Sequence, residues 1–129
     1  MEQQTTKVLV VDDNPEIRDI IHVLLEGEGI RVTEAADGSS ALHFLEKGSF
    51  DLIILDIMMP GVDVLTVCTK IRKTSHVPII IVSAKDSPLD RITGITLGSD
   101  DYMVKPFLPL ELVTRVKALF RRVDAFSGQ

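Results

Sequence analysis

The chain is 129 residues long, 45% hydrophobic and 26% charged, with a formal net charge of −5 and a single cysteine. That size fits one domain able to bury a real core, and the composition is that of an ordinary globular protein. The acidic balance argues against this segment gripping a nucleic-acid backbone by itself, no apolar run approaches the ~20 residues of a membrane span, and the N-terminal MEQQTTK lacks the apolar stretch of a signal peptide.

Lys7 to Val11 is a short apolar run that ends in Asp12 and Asp13. Asn14 and Pro15 follow as an N-cap and a first-turn proline. Ile17, Ile20, Ile21 and Leu24 then recur at helical spacing until Gly27 and Gly29 stop the helix. Arg31 to Ala35 is a second, weaker strand. Asp37-Gly38-Ser39 reads as a turn and cap, opening a helix that carries Ala41, Leu42 and Leu45 and closes near Gly48. Leu52 to Leu55 is an uninterrupted aliphatic run, the signature of a strand covered on both faces, and it ends in Asp56. Val64, Val67, Cys68 and Ile71 mark a third helix. Pro78 introduces Ile79 to Val82, a second uninterrupted run, which ends at Ser83. The segment 86–97 reads as a fourth helix with a thin apolar stripe. Asp101 to Val104 is a short last strand, followed by Lys105-Pro106. Pro109 opens a fifth helix whose Leu112, Val113, Val116, Leu119, Phe120 and Val123 hold the period. A tail follows.

Five strand–helix alternations predict an α/β fold, a flavodoxin-like (βα)5 doubly wound parallel sheet with right-handed crossovers and strand order 2-1-3-4-5. This topology gathers Asp12, Asp13, Asp56, Ser83 and Lys105, because each follows or ends its own strand at the C-terminal edge. Taken singly, each has an ordinary reading as a helix cap, a turn residue or a solvated lysine. Taken jointly they place three carboxylates, a hydroxyl and an ammonium in one crevice.

Two carboxylates ~4 Å apart repel by about 4 kcal/mol at an effective dielectric of 20, and Lys105 offsets one charge of three. The site should therefore either raise a carboxylate pKa or recruit a hard divalent cation through oxygen ligands. Mg²⁺ fits best, with Mn²⁺ able to substitute. The expected ligands are Asp13, Asp56 and the Met58 carbonyl, with Asp12 acting through water. A carboxylate beside such a cation and a lysine is equipped to attack a phosphoryl group. Asp56 would become an aspartyl phosphate, with the metal, Lys105 and the Ser83 hydroxyl each taking one phosphoryl oxygen.

VLVVDD, LDIMMPG, the Ser83-Ala84 pair and DDYMVKPF together resemble the receiver domain of bacterial two-component response regulators, and the resemblance covers Lys7 to Val123. The family shares the strand order given above, so the two expectations are not independent. By resemblance, Asp56 is the phospho-acceptor for a sensor histidine kinase, and Asp12 and Asp13 are the acidic metal pair. Lys105 matches the family's lysine. Ser83 and Tyr102 match the switch positions, where the hydroxyl moves toward the phosphate and the aromatic ring turns inward. The Lys105-Pro106 peptide is expected to be cis.

Arg91, Asp100, Asp101, Glu111, Arg115 and Lys117 further resemble the charged set of the winged-helix transcription-regulator subfamily. There, phosphorylation favours a homodimer through the fourth helix, fifth strand and fifth helix. The implied pairs are Arg91 with Glu111, Asp100 with Lys117, and Asp101 with Arg115. The resemblance implies a receiver domain over 1–123 and the start of a linker or tail over 124–129. A DNA-binding domain would follow that tail, and DNA contact would run only through it. No membrane partner is implied. A lone Cys68, unable to form an internal disulfide, makes a reducing cytoplasm the natural setting.

One departure concerns the loop after the acceptor, where the family commonly has PGxDG and this chain has Pro60-Gly61-Val62-Asp63-Val64. Val64 cannot cheaply take a positive φ, so it is either already helical or the loop is rearranged. His22, His43 and His76 are scattered, without metal spacing, and Cys68 reads as inert core. Beside the switch stand an aspartyl-phosphate phosphohydrolase, a stand-alone phosphorelay intermediate and a flavin or nucleotide binder. A haloacid-dehalogenase-type hydrolase would want an aspartate where Met58 stands. A phosphate-binding loop would want glycines or hydroxyls where Asp12 and Asp13 stand.

Overall fold

The computed structural model describes residues 6–57, 64–84 and 98–127. The elements are β1 (Lys7–Val11), α1 (Pro15–Glu26), β2 (Arg31–Ala35), α2 (Gly38–Lys47), β3 (Leu52–Leu55), α3 (Val64–Thr74), β4 (Ile79–Ser83), β5 (Asp101–Val104) and the C-terminal helix α4 (Pro109–Ser127). The expected fourth helix at 86–97, with Arg91, lies outside the described residues, as do Met58 and the loop around it.

All five strands form one parallel sheet in the order β2-β1-β3-β4-β5, as expected. The aliphatic runs explain why. β3 and β4 are fully buried, and a strand buried on both faces has no use for polar alternation. Residues of alternating parity feed two separate cores. Leu9, Val11, Ile53, Leu55, Ile79 and Ile81 pack with Ala41 of α2 and with Val67, Cys68 and Ile71 of α3. Val8, Val10, Leu52, Ile54, Ile80 and Val82 pack with Ile21 and Leu25 of α1 and with Leu112, Val116 and Leu119 of the C-terminal helix. At about 1.5–3 kcal/mol for each large aliphatic side chain fully buried, these two layers hold the sheet edge that carries the polar residues.

Helix starts follow the sequence signals. The Asn14 side chain accepts from the Glu16 N–H, with Pro15 in the first turn, and Asp37 accepts from the Ser40 N–H. Gly29 has a φ of +80°, which makes it the residue that lets the chain reverse into β2. Two details differ from the periodic reading. Ile20 is 46% exposed, and Leu25 takes the core place instead. The C-terminal helix continues to Ser127, beyond Val123 where the apolar period stops. Val64 begins α3, so of the two alternatives for that position the helical one holds.

Among the described residues no helix is long and apolar enough to cross a membrane.

Candidate functional site

Parallel register sets the site. Val11 pairs with Leu55, so Asp12 and Asp56 leave neighbouring strands at the same level. The Asp56 N–H donates to the Val11 carbonyl at 2.9 Å, and the Asp12 N–H donates to the Ala35 carbonyl at 3.1 Å. One strand further, Ser83 pairs with Val104, and the Lys105 N–H donates to the Ser83 carbonyl at 2.8 Å. The Lys105-Pro106 peptide is cis, as expected.

Asp12, Asp56 and Ser83 are the buried polar residues among those described, at 2%, 5% and 0% exposure. Asp13 is exposed. One carboxylate oxygen from each of Asp12, Asp13 and Asp56 lies within 4.8 Å of the others. Lys105 Nζ donates to Asp12 Oδ2 at 2.7 Å and to Asp56 Oδ2 at 3.4 Å. Asp12 Oδ1 accepts from the Asn14 N–H at 2.9 Å.

These contacts place the five expected residues Asp12, Asp13, Asp56, Ser83 and Lys105 at one edge of the sheet. They also show how the charge is distributed. The lysine sits closest to Asp12 and reaches Asp56 by a longer contact, so one ammonium is spread over two of the three acids. Only a small shift along the short gap between Asp12 and Asp56 would bring the ammonium onto a group attached to Asp56. Three carboxylates against one ammonium form an all-oxygen donor set with surplus negative charge. That chemistry fits a hard divalent cation bound by few protein oxygens. Tyr102, level with Ile81 on β5, is 6% exposed and packs within the core shared by α2 and α3.

The charged set beside β5 forms pairs inside one chain. Arg115 Nη1 donates to Asp101 Oδ1 at 2.6 Å, and Arg115 Nε donates to Glu111 Oε2 at 3.3 Å. The Asp101 carboxylate, with Glu111 beside it, pushes the Arg115 pKa up. Asp100 accepts from the Ile79 N–H at 2.8 Å and from Arg72 Nη2 at 3.3 Å. Lys117 pairs with Glu28 at 2.5 Å. Within a single chain, then, Asp100 and Lys117 hold partners other than each other.

Sequence reasoning missed a second layer behind the acids. Arg18 Nη1 donates to the Asp12 backbone carbonyl at 2.7 Å, and its Nε donates to Glu34 at 3.0 Å. His22, set aside as a metal ligand, bridges Glu34 and Glu26 at 2.7 and 2.8 Å. Chiefly because of the hydrogen bond with Glu34, the His22 pKa is raised. The one available signal was an arginine and a histidine four apart on α1 facing an acid on β2. Cys68 is buried, and burial pushes its thiol pKa up, as suits an inert core residue.

A doubly wound parallel sheet with an acidic, lysine-braced edge defines a class of α/β domain built to hold a cation there rather than to cradle a nucleotide's phosphates directly. Comparison with known proteins identifies the family. Residues 8–117 match the model of the response regulator receiver domain, and the chain belongs to that family. It is 48% identical to the regulatory protein VanR of Enterococcus faecium over 122 residues, covering 95% of this chain and 53% of that protein. It is 46% identical to the transcriptional regulatory protein ResD of Bacillus subtilis, covering 95% of this chain and 51% of ResD. The chain thus spans about half the length of these curated relatives. Among solved structures, the receiver domain of the Francisella response regulator 1452 superposes with a TM-score of 0.85 at 41% identity, covering 92% of this chain and 99% of that one. A two-component response regulator from Clostridium difficile gives 0.89 at 29% identity, covering 93% and 99%. Receiver domains are phosphorylation-activated signalling switches, and this chain is one of them.

Proposed function

We propose that the chain accepts a phosphoryl group on Asp56 from the phosphohistidine of a sensor histidine kinase, in the cytoplasm and with Mg²⁺ present. The observation that carries this reading is the cluster of Asp12, Asp13 and Asp56 with Lys105 laid across two of them. Asp13, Asp56 and the Met58 carbonyl would hold the cation, with Asp12 acting through water. When bound, the ion neutralises phosphoryl oxygens and offsets the repulsion among the acids.

The residues then divide the work. An Asp56 oxygen attacks phosphorus as the bond to the donor's imidazole nitrogen breaks and the nitrogen keeps the electron pair. Lys105 transfers its hydrogen bond from Asp12 toward a phosphoryl oxygen. The Ser83 hydroxyl takes another. Those new contacts bias the Ser83 and Tyr102 positions toward the active state. Exposed Ile20 and Val23 on α1, and Leu108 and Leu110 at the head of the C-terminal helix, supply apolar surface that a donor protein can cover.

Phosphorylation in turn favours a homodimer through the segment containing Arg91, β5 and the C-terminal helix. Arg91 pairs with Glu111, Asp100 with Lys117, and Asp101 with Arg115, across or along that interface. The relatives' names, a regulatory protein and a transcriptional regulatory protein, support a DNA-binding output domain joined by a linker that follows the C-terminal helix.

Incubation with Mg²⁺ and acetyl phosphate, followed by intact mass, tests the reading. The expected result is one added phosphoryl per chain, lost in Asp56→Asn. Release of many equivalents of phosphate per chain would instead indicate a hydrolase.

A further inference from the structure

Arg18 lies on α1, where its N–H closes the first turn on the Asn14 carbonyl at 3.2 Å. Its side chain, 17% exposed, turns back past the helix start. There it forks between the Asp12 backbone carbonyl at 2.7 Å and Glu34 Oε1 at 3.0 Å. Glu34 stands on β2 level with Val10, two residues before Asp12 along β1. The other Glu34 oxygen meets His22 Nδ1 at 2.7 Å, and His22 Nε2 meets Glu26 at 2.8 Å.

The carbonyl that Arg18 holds belongs to the peptide joining Asp12 to Asp13. A peptide unit is planar, so fixing the direction of its oxygen fixes the direction in which the chain reaches the Asp13 Cα. Asp12 has further anchors: its N–H is on Ala35, and its carboxylate oxygens are on Asn14 and Lys105. Asp13 is exposed and gains little placement from packing. A guanidinium aimed at the linking carbonyl orients both acids while leaving their carboxylate oxygens for other partners. Glu34 offsets the positive charge of Arg18, which would otherwise oppose a cation beside the same acids. His22, gripping Glu34 from the second turn of α1, keeps that acid turned toward Arg18.

We propose that Arg18 is a positioning residue for the acidic pair: it fixes the Asp12–Asp13 peptide, while Glu34, braced by His22, holds and neutralises it. This rests on the reading that Asp12 and Asp13 hold a divalent cation.

The test is a Mg²⁺ titration of the full chain followed by backbone amide shifts, with folding verified by circular dichroism. Arg18→Ala should weaken Mg²⁺ about 10–100-fold, the usual effect of removing a group that orients metal ligands. Arg18→Lys, which keeps the charge but reaches one acceptor at a time, should fall between, and Glu34→Gln should lose less. The Asp13 amide resonance should already move in metal-free Arg18→Ala. Arg72→Ala removes an arginine that ties α3 to the Val77 and Gly98 carbonyls, far from the acids. It should lower the unfolding midpoint and leave Mg²⁺ affinity alone. An unchanged affinity in folded Arg18→Ala, or an equal loss in Arg72→Ala, would overturn the inference while wild-type binding left the metal site standing. Absence of Mg²⁺ binding by the wild type would overturn both.

Discussion

Two groups of charged residues in this molecule obey opposite rules. At the sheet edge, Asp12 and Asp56 are 2% and 5% exposed and share one lysine, with the Asp13 carboxylate close by. Beside β5 the charges are balanced and half in water: the Arg115 and Asp101 side chains are 37% and 25% exposed, Lys117 and Glu28 51% and 34%. Buried charge of one sign is expensive and is kept where chemistry requires it. Balanced surface pairs contribute little and exchange easily, which suits a face that is to change partners. The first group is held by backbone register, the second by side chains that can swing.

The sharpest way to break this contrast is Lys105→Met. It removes the 2.7 Å partner of a buried aspartate, and loss of one member of a buried pair destabilises strongly. In metal-free urea unfolding the variant should lose about 3 kcal/mol, the low end of that effect because Lys105 retains some water contact, and Mg²⁺ should restore part of it. Arg115→Ala should cost no more than about 1 kcal/mol despite the shorter 2.6 Å contact, and high salt should erase the difference. On the proposed dimer face, Arg115→Glu should weaken association of the phosphorylated chain in sedimentation. An unchanged dimer would separate this face from the switch.

The smallest effect belongs to His22, which lies between the two groups in kind. Its folded pKa is raised above 6.5 by Glu34 first and by Glu26. The stability it contributes is therefore fully present below pH 6.5 and is lost as pH rises through the higher folded value. The side chain is 30% exposed, so the increment should stay below about 1 kcal/mol. His22→Gln should flatten that part of the stability profile. A slope that persisted would assign it to another group.

The same contrast explains what the sequence made legible. β1, β3 and β4 announce themselves because a strand buried on both faces must be aliphatic throughout, and each run breaks at the polar residue that faces the edge. Strand order and parallel register then bring Asp12, Asp56, Ser83 and Lys105 together without any knowledge of side-chain contacts. Charge partners carry no such period. Arg18 and Glu34 meet across 16 positions, and Arg72 and Asp100 across 28. Apolar spacing is silent about both. Ile20 shows the same limit from the other side, since helical periodicity marks a stripe without saying where its border meets water. Leu25, one position past the stripe as read, is as fully buried as Ile21 within it.

Register concentrates acid at the sheet edge, and under the proposed function one particular carboxylate there receives the phosphoryl group. Phosphorylating the chain with acetyl phosphate and Mg²⁺, reducing the acyl phosphate with borohydride and sequencing the peptides identifies that carboxylate. Conversion of residue 56 to homoserine, with Asp12 and Asp13 intact, is the predicted result; reduction at Asp12 or Asp13, or phosphate on any other residue type, would contradict it.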